Sequence, residues 1–238
     1  VGQPVPNSIF KLGEDEKATE YLRMRTYLLE REPRKDTDTD PRQPLVSPVP
    51  GLRLEKEIGD LPPDHHLVDK SGYTVFYGYQ YQLPETVKEI GRLRELTFRD
   101  LGEGSGKSCD IDSFDSDYAH LFIWDGKEKQ IVGAYRMGQS DRILRERGPE
   151  GLYLSRMFRF SGQFLEHIHG GLEMGRSWIR RDHQRGFLGL YLLWRGIGEF
   201  VLRNPSYHTL YGTVSLSTVY HPFSHALMIR SLLTGTAG

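Results

Sequence analysis

Hydrophobic and polar positions follow the period of a strand or of a helix, segment by segment, over residues 71–238. Aromatic and β-branched residues in YTVFYGYQY and AHLFIWD are typical of strands, whereas apolar residues spaced three and four apart after Pro84 predict a helix. The pattern predicts, in chain order, a strand at 73–81, a helix at 84–102, strands at 119–125 and 130–138, a helix at 140–148, an extended segment at 151–160, a helix or loop at 162–170, a strand at 171–179, a helix at 187–203, a strand at 207–217 and a helix at 218–233. This order predicts a mixed α/β sheet and not a regularly alternating doubly wound fold.

The first 70 residues have a different character. Helical spacing runs over residues 15–32, and the stretch that follows, to residue 64, is rich in Pro, Asp and Thr and has no sustained period. We therefore predict a helical and irregular extension with a linker at 1–70 and a compact domain at 71–238.

Composition narrows the class of protein. The 238 residues are 37% hydrophobic and 11% aromatic, which is enough for one large core. The formal net charge is -1, so we predict no nucleic-acid partner, and any anion site has to be local. Cys109 is the single cysteine, which excludes an internal disulfide framework and favours a reducing compartment. We expect a cytoplasmic protein, and the sequence leaves peripheral contact with the inner membrane open.

The stretch IRRDHQRGFLG joins a predicted strand to a predicted helix. The N–H groups at a helix N-terminus have no partners within the helix, and the helix dipole adds positive charge there. Gly186 and Gly189 would let a phosphate approach the backbone, and this turn also carries Arg180, Arg181 and Arg185. The pattern predicts an anion site, with a surface turn of solvated arginines as the equally weighted alternative. The helix after the turn is apolar on most faces, which predicts that it packs in the core.

Two charged residues lie in the strand before this turn. Glu173 has apolar neighbours, and desolvation would raise its pKa toward the range of a general base. Arg176, three positions on, would face the other side of a regular strand unless a bulge near Gly175 re-aims one of the two. A structural ion pair between Glu173 and Arg176 is the alternative, and it is the more common situation.

An acidic loop separates the first predicted helix from the hairpin. Its carboxylates follow Arg94 on the helix and precede Arg136 on the second strand of the hairpin, and they belong to Asp110, Asp112, Asp115 and Asp117. Such a loop could hold an amine, bind a cation or be merely solvated. The histidine pairs of the chain lack further ligands at suitable spacing, so we predict no metal site.

Four motifs occur together in one order: R-x3-F at Arg94 and Phe98, D-x-D-x-F-D at 110–115, V-G-x-Y-R at 132–136 and E-x-G-R-S at 173–177. With them the chain resembles the GNAT-type N-acyltransferases over about residues 73–232. Within that group it is most similar to the branch that contains ornithine-lipid and glycine-lipid synthases and the proteins labelled hemolysins. This branch is distantly similar to the acyl-homoserine-lactone synthases.

The resemblance implies a GNAT fold and the transfer of a fatty acyl group to the amine of an amino acid or another small amine, in aminolipid synthesis. The donor would be a phosphopantetheine thioester, and no permanently bound cofactor is expected. Motif by motif, the resemblance places Glu173 and Arg176 in catalysis, with Glu173 as the base that accepts the amine proton. The residues that it assigns to substrate binding are Arg94, Phe98, Asp112, Asp115 and Arg136. The residues that it assigns to binding of the donor arm and of the phosphate on that arm are Trp178, Ile179, Arg180, Arg181, Arg185, Gly186 and Gly189.

The turn departs from the phosphate-binding pattern Q/R-x-x-G-x-G/A of the superfamily, although it keeps Gly186 and Gly189. A carrier protein offers a single phosphodiester and tolerates a shorter loop, so acyl carrier protein is the favoured donor partner. Coenzyme A is the alternative donor, for an acetyltransferase, and a non-catalytic carrier-protein or lipid-binding module is the third possibility.

Residues 1–35 resemble the segment that follows a glycerolipid (lysophospholipid) acyltransferase domain. We therefore predict such a domain in the same full-length protein. The H-x4-D signature of those acyltransferases occurs at His120 to Asp125, but positions five apart in a strand point to opposite faces, which argues against a catalytic role.

Overall fold

The structure is a computed structural model, and it describes residues 42–213 and 222–235. Residues 42–213 lie in one compact unit, and the last helix belongs to a second unit. The helices are α1 (Gly51–Gly59), α2 (Pro84–Leu101), α3 (Ser140–Arg147), α4 (Gly162–His167), α5 (Leu188–Arg203) and α6 (Pro222–Gly235). The strands are β1 (His66–Lys70), β2 (Tyr73–Gly78), β3 (Ala119–Asp125), β4 (Gln130–Gln139), β5 (Gly171–Ile179) and β6 (Thr209–Gly212). Among the described residues, no helix combines the length and the apolar character that crossing a bilayer requires.

The six strands form one mixed sheet in the order β1-β2-β3-β4-β5-β6. The four pairs from β1–β2 to β4–β5 are antiparallel, and β6 runs parallel to β5. The parallel pairing covers only residues 171–174 of β5, which lie beside 209–212. The second half of β5 therefore pairs with β4 on one side and, among the described residues, with no strand on the other.

Alternation along the strands separates two apolar layers on the two faces of the sheet. Phe122 and Trp178 lie on the face covered by α2, in a cluster that also contains Leu93. Leu121 lies on the opposite face, in the cluster that contains Leu193 of α5. Helices on both faces of a mixed sheet form the predicted α/β architecture, which is confirmed.

Helix α2 begins and ends where the sequence predicts. Pro84 lies in its first turn, where an N–H would have no partner in the helix, and Gly102 ends it with φ 74°. Glu57 of α1 accepts the N–H groups of Glu85 at 2.9 Å and Thr86 at 2.8 Å. A residue distant in sequence therefore caps the helix that carries Arg94.

Two parts of the structure differ from the sequence prediction. Residues 51–70 contain α1 and β1, although no helix or strand is predicted there. The extended segment predicted at 151–160 is wrong, because this stretch forms 3-10 turns at Pro149–Gly151 and Tyr153–Arg156. The division at residue 70 stays a prediction for the domains.

Several predicted segments end close to the described boundaries or beyond them. The strand predicted at 207–217 is observed as β6, and residues 214–221 lie outside the described part, as does the helix predicted at 15–32.

Helix α5 is buried on the side that faces the sheet, but Trp194 and Leu202 on its other side are exposed. The prediction that this helix packs in the core on most faces is therefore wrong for its outer face.

Candidate active site

A bulge in β5 sets the direction of Arg176. Ala134 of β4 lies opposite Trp178, but Arg136 lies opposite Gly175, so β5 holds one more residue than β4 between these pairs. Arg176 has φ 53°, in the left-handed region. Of the two alternatives that the sequence leaves open for this strand, the structure contains the bulge near Gly175.

Arg176 points to the acidic loop and not to Glu173. Its Nη1 lies 3.0 Å from Asp110 Oδ2, and its Nη2 lies 3.3 Å from Asp112 Oδ2. Glu173 accepts hydrogen bonds from other groups, described below. The alternative in which Glu173 and Arg176 form an ion pair is therefore wrong.

Three arginines and three aspartates form a buried network, the arginine–aspartate network, between α2, the sheet and the acidic loop. Arg94 Nε lies 2.8 Å from Asp110 Oδ2, and its Nη2 lies 3.1 Å from Asp115 Oδ2. Arg136 Nη1 lies 2.7 Å from Asp112 Oδ1 and 3.3 Å from Asp115 Oδ1. With Arg176, the network contains equal numbers of opposite charges, as buried charges require.

The network favours the ionised form of Asp115, and each of its three aspartates contacts arginines rather than offering a free charge to a cation. Burial acts to raise the pKa of Asp115, but the charges of Arg94 and Arg136 outweigh it and hold this pKa well below its ordinary value. Asp110 and Asp115 are both buried, so a solvated acidic loop is not what the structure contains.

His120 lies directly beneath this network. Its Nε2 is 2.9 Å from the carbonyl oxygen of Asp115, and its Nδ1 is buried and has no hydrogen-bond partner. Burial, together with the nearby positive charges of Arg94 and Arg136, lowers the pKa of His120 to about 4, against the opposing effect of Asp115. The imidazole is therefore neutral at neutral pH.

Glu173 occupies a separate polar pocket on the same face of the sheet. Its Oε1 accepts the N–H of Leu154 at 2.7 Å, and its Oε2 accepts the N–H of Tyr153 at 3.0 Å and the hydroxyl of Tyr118. Burial raises the pKa of Glu173 in spite of these donors. The predicted desolvation of this carboxylate agrees with the structure, and the carboxylate holds the turn that follows Leu152.

Aromatic rings connect Glu173 to the arginine–aspartate network. The guanidinium of Arg136 lies 5.2 Å from the ring centroids of both Tyr118 and Tyr153, and Arg176 lies 5.4 Å from that of Tyr153. Sequence reasoning missed both tyrosines. The only sequence signal was indirect, since Tyr118 closely follows the D-x-D-x-F-D motif.

Phe98 is the predicted substrate residue that the structure does not bring to this site. It is half-buried on α2 and packs against the apolar cluster that contains Trp178. The side chain of Trp178 is buried in that same cluster, and Ile179 packs against the cluster on the opposite face. Only the backbone of these two β5 residues is therefore available to a donor arm.

The predicted phosphate turn lies at the end of β5 and the start of α5. Within the described part of the chain, the N–H groups of residues 187–190 donate to no acceptor, as expected at a helix N-terminus. A Cβ added at Gly186 would meet none of the described residues within 4 Å, so these residues leave the space before the helix open. A Cβ at Gly189 would lie 3.1 Å from Ile179 Cδ1, so this glycine allows the close approach of helix and strand.

A cavity of about 680 Å³ opens beside this turn, between it and α2. Arg180 is held by Asp182 and by Gln130, and Arg181 is exposed with its Nη1 3.8 Å from Asp100. Arg185 has no ion pair or hydrogen bond within the described residues. The cavity is lined by Arg92, Leu93, Leu96, Thr97, Asp100, Arg180, Arg181, Asp182 and Arg185.

Comparison with known proteins places this arrangement in a family. Residues 93–195 match the family model of the acetyltransferase (GNAT) domain. The glycine N(alpha)-acyltransferase of Phocaeicola vulgatus is 31% identical over 190 residues, which cover 74% of this chain and 57% of that protein. The protein of the same name from Bacteroides thetaiotaomicron is 32% identical over 190 residues, 74% of this chain and 56% of that protein. The chain thus spans less than two thirds of the length of these curated relatives.

Two solved structures are similar at a lower level. The acyl-homoserine lactone synthase LasI has a TM-score of 0.42 at 19% identity, over 68% of this chain and 79% of that one. The coenzyme A-dependent acyl-homoserine lactone synthase BjaI has a TM-score of 0.42 at 20% identity, over 65% of this chain and 72% of that one. A likeness at this level bears on neither substrate nor mechanism.

The family match covers the second half of α2, the acidic loop, the strands β3 to β5 and the start of α5, which are the elements that build both parts of the site. The resemblance stated from the four motifs is confirmed. Residues 93–195 thus match a GNAT acetyltransferase domain, and the six-stranded mixed sheet has the GNAT-like fold.

Proposed function

We propose that the protein is an N-acyltransferase that moves a fatty acyl group from a phosphopantetheine thioester to the amine of an amino acid, with glycine as the acceptor. The acceptor is supported by the two relatives named glycine N(alpha)-acyltransferase. The reaction class is supported by the GNAT domain at 93–195.

The observation that carries the proposal is the edge of β5 beyond Met174. Its pairing with β6 ends at this residue, and a turn of eight residues connects the end of the strand at Ile179 to the start of α5, where the N–H groups have no acceptor among the described residues. An extended arm with amide groups can pair with such an edge as a further strand would. The phosphate of the arm would then meet the N-terminus of the helix.

Acyl carrier protein is our proposed donor. The cavity beside the turn carries four arginines, and Arg185 is without an ionic partner in the described residues. In a chain with a formal net charge of -1, this is a local positive surface that complements an acidic carrier protein. It is also adjacent to the turn where the phosphodiester would bind.

Arg176 and Asp112 are the proposed contacts of the acceptor. They are the members of the arginine–aspartate network whose side chains reach the surface, with 23% and 12% exposed, whereas the partners deeper in the network are covered. A guanidinium binds the carboxylate of an amino acid, and a carboxylate binds its amine. Arg94, Asp115 and Arg136 hold these two groups in position.

In the proposed reaction the neutral amine attacks the thioester carbonyl, a C–N bond forms, and the C–S bond breaks to release the thiolate, which is protonated after it leaves. A backbone N–H of β5 would stabilise the carbonyl oxygen. The amine proton goes to Glu173 through a water in the general-base hypothesis. Three donors occupy the carboxylate, which has about four acceptor positions, so one position is left for that water.

A second role for Glu173 follows from the same contacts. By accepting the N–H groups of Tyr153 and Leu154 it fixes the turn that places Tyr153 over Arg176. In this role Glu173 positions the acceptor site and does not exchange a proton with the amine. The effect of pH on turnover separates the two roles.

The test is an assay with acyl carrier protein loaded with medium-chain and long-chain acyl groups and a panel of amino acids. We expect release of the carrier thiol and an N-acylglycine product, detected by mass spectrometry. The same assay with acyl-coenzyme A identifies the donor. Absence of turnover with every donor and amine would refute the reaction and favour a non-catalytic module. The predicted glycerolipid acyltransferase domain, the aminolipid pathway and the cytoplasmic location stay predictions.

A further inference from the structure

The outer face of α5 is apolar where a helix that covers a sheet is usually polar. Its inner face packs on the sheet through Leu193 and Ile197. Its outer face exposes 53% of Trp194 and 72% of Leu202. We call this outer face the α5 stripe, and its exposed members are Phe187, Leu190, Trp194 and Leu202.

Helical geometry makes the α5 stripe continuous. Phe187, Leu190 and Trp194 are three and four positions apart, which places them on one side of the helix. Gly198 follows by the same spacing, and among residues 42–213 and 222–235 no heavy atom lies within 4 Å of a Cβ built on it, so none of the described residues covers the middle of the stripe. A contiguous exposed apolar face of this kind marks an interaction surface.

Basic side chains surround the stripe. Lys70 lies with its Nζ 4.4 Å from the ring centroid of Tyr191, which is half-buried beside the stripe. Arg195 has 54% of its side chain exposed, and its contact with Glu199 is long, with 4.0 Å between Nη2 and Oε2. Arg181, with 85% of its side chain exposed, and Arg185 lie at the start of the helix.

The acidic groups near the stripe are already neutralised. Asp182 is held by Arg180, and Glu199 lies 3.2 Å from Arg203. The border of the stripe is therefore positive, although the chain as a whole has a formal net charge of -1.

We propose that the α5 stripe docks on the surface of an anionic phospholipid bilayer. An apolar helix face with an exposed tryptophan and a basic border is the chemistry that binds in the interface region of such a membrane. Electrostatic attraction of each basic residue to anionic headgroups adds to the burial of the apolar side chains. A second copy of the chain is less suited, since four apolar side chains are far fewer than the roughly 20–30 residues per side of a stable protein interface.

Docking through this face would hold the start of α5, and with it the proposed phosphate turn, close to the membrane. The inference goes beyond the proposed reaction and needs no step of it. It is tested by binding, so an enzyme without the proposed activity could still confirm it.

The experiment is flotation of the full 238-residue chain with vesicles of phosphatidylethanolamine and phosphatidylglycerol, and with vesicles of phosphatidylcholine alone. We expect binding to the anionic vesicles that weakens at high salt. Trp194→Glu should lower the partition coefficient by roughly tenfold or more, since it removes an interfacial anchor and adds a repelled charge. Arg195→Gln should lower it by roughly fivefold.

Matched controls lie away from the stripe. Leu52 on α1 is 68% exposed, so Leu52→Glu replaces an exposed apolar side chain away from the stripe and adds the same charge as Trp194→Glu. Arg145 on α3 has 69% of its side chain exposed, so Arg145→Gln is the control for Arg195→Gln. Both controls should bind anionic vesicles as the parent chain does, and circular dichroism should show that every variant is folded.

Three results would overturn the proposal. One is a parent chain that does not float with anionic vesicles, and another is a Trp194→Glu variant that floats as well as Leu52→Glu. The third is a parent dimer in size-exclusion chromatography that Trp194→Glu converts to a monomer, without vesicle binding by either, which would assign the stripe to a contact between copies.

Discussion

Arg94 of α2 and Asp115 of the acidic loop form a two-pronged ion pair, with Nη1 3.2 Å from Oδ1 and Nη2 3.1 Å from Oδ2. Neither side chain is more than 1% exposed. Arg94→Met would leave Asp115 without its main partner in a buried site. We expect this variant to lose about 3–5 kcal/mol of unfolding free energy, measured by chemical denaturation.

Arg145→Met is the control for this prediction. Arg145 is exposed and lies 3.6 Å from Glu146, so its loss should change the unfolding free energy by less than about 0.5 kcal/mol. Equal stability of the Arg94 and Arg145 variants would show that the network contributes no more than a surface pair.

Glu173→Gln tests the role of the buried carboxylate. A glutamine offers one acceptor oxygen where the carboxylate offers two, so the three donors to Glu173 share fewer acceptor positions, although the N–H of Tyr153 keeps the Tyr118 hydroxyl, 2.9 Å away, as a second acceptor. We expect a loss of about 1–3 kcal/mol of unfolding free energy in a denaturant titration. Turnover with acyl carrier protein and glycine should fall strongly at neutral pH.

The dependence of turnover on pH then separates a base from a positioning residue. Burial raises the pKa of Glu173, so if Glu173 is the base, the rate of the parent should rise with pH through this raised pKa. The pH–rate profile of Glu173→Gln should then lack this rising part. A positioning role gives a variant with a higher KM for glycine and the parent pH profile. Normal kcat and KM in Glu173→Gln would contradict both roles.

His120 should make stability depend on pH. Its pKa in the folded protein is lowered to about 4 from an ordinary 6.5, so the unfolded chain binds the proton more readily. The contribution of the neutral His120 to the unfolding free energy is therefore complete above about pH 6.5, and it is lost as the pH falls toward 4. His120→Gln can still donate to the Asp115 carbonyl but binds no proton in this range. We expect the fall in unfolding free energy between pH 6.5 and pH 4 to be smaller in this variant than in the parent, by up to about 3 kcal/mol.

Thermal or chemical unfolding of parent and variant at several pH values between these limits measures the effect. His169→Gln, which changes an exposed histidine, is the control, and the slope of its unfolding free energy against pH should equal that of the parent. Identical slopes for the parent and His120→Gln would rule out His120 as the source of the acid sensitivity.

Arg185 should act in the binding of the donor. It lines the cavity beside the phosphate turn and is without an ionic partner in the described residues. We expect Arg185→Gln to raise the KM for acyl carrier protein by roughly fivefold while kcat is nearly unchanged, because a charge at the rim of an interface acts mainly on association. Arg145→Gln is the control, and high salt should reduce the difference between the two. Unequal kcat with equal KM would argue against this role.

The sequence predicts most of the sheet because, in those segments, the spacing of apolar residues and the aromatic and β-branched residue types indicate the same element. The strands β3 and β4 and the helix α2 carry clear patterns, and the bulge is one of the two alternatives that two charges three positions apart in one strand leave open. What it misses depends on contacts between distant residues. The carboxylate of Glu57 caps α2 from α1, a helix with only two buried residues and therefore a weak pattern.

The same reason explains the part of the site that sequence reasoning missed. Glu173 is satisfied by the N–H groups of a 3-10 turn in a segment whose apolar residues suggest a strand. Tyr118 reaches it from 55 positions away. Neither partner has a local signal. The outer face of α5 is missed for another reason, since an apolar pattern predicts burial and cannot identify the surface that buries it.

Two glycines in α5 should respond in opposite ways to the same substitution. A Cβ at Gly196 would lie 2.6 Å from Val75 Cγ1, in the core between α5 and the sheet, whereas a Cβ at Gly198 would meet nothing within 4 Å. Alanine is favoured over glycine inside a helix by about 1 kcal/mol at both positions. At Gly196 the overlap with a β-branched core residue outweighs that gain, so we expect Gly196→Ala to lose about 1–2 kcal/mol of unfolding free energy. Gly198→Ala should gain about 0.5–1 kcal/mol, and parallel denaturant titrations that show the same sign for both would contradict the packing of α5 against β2.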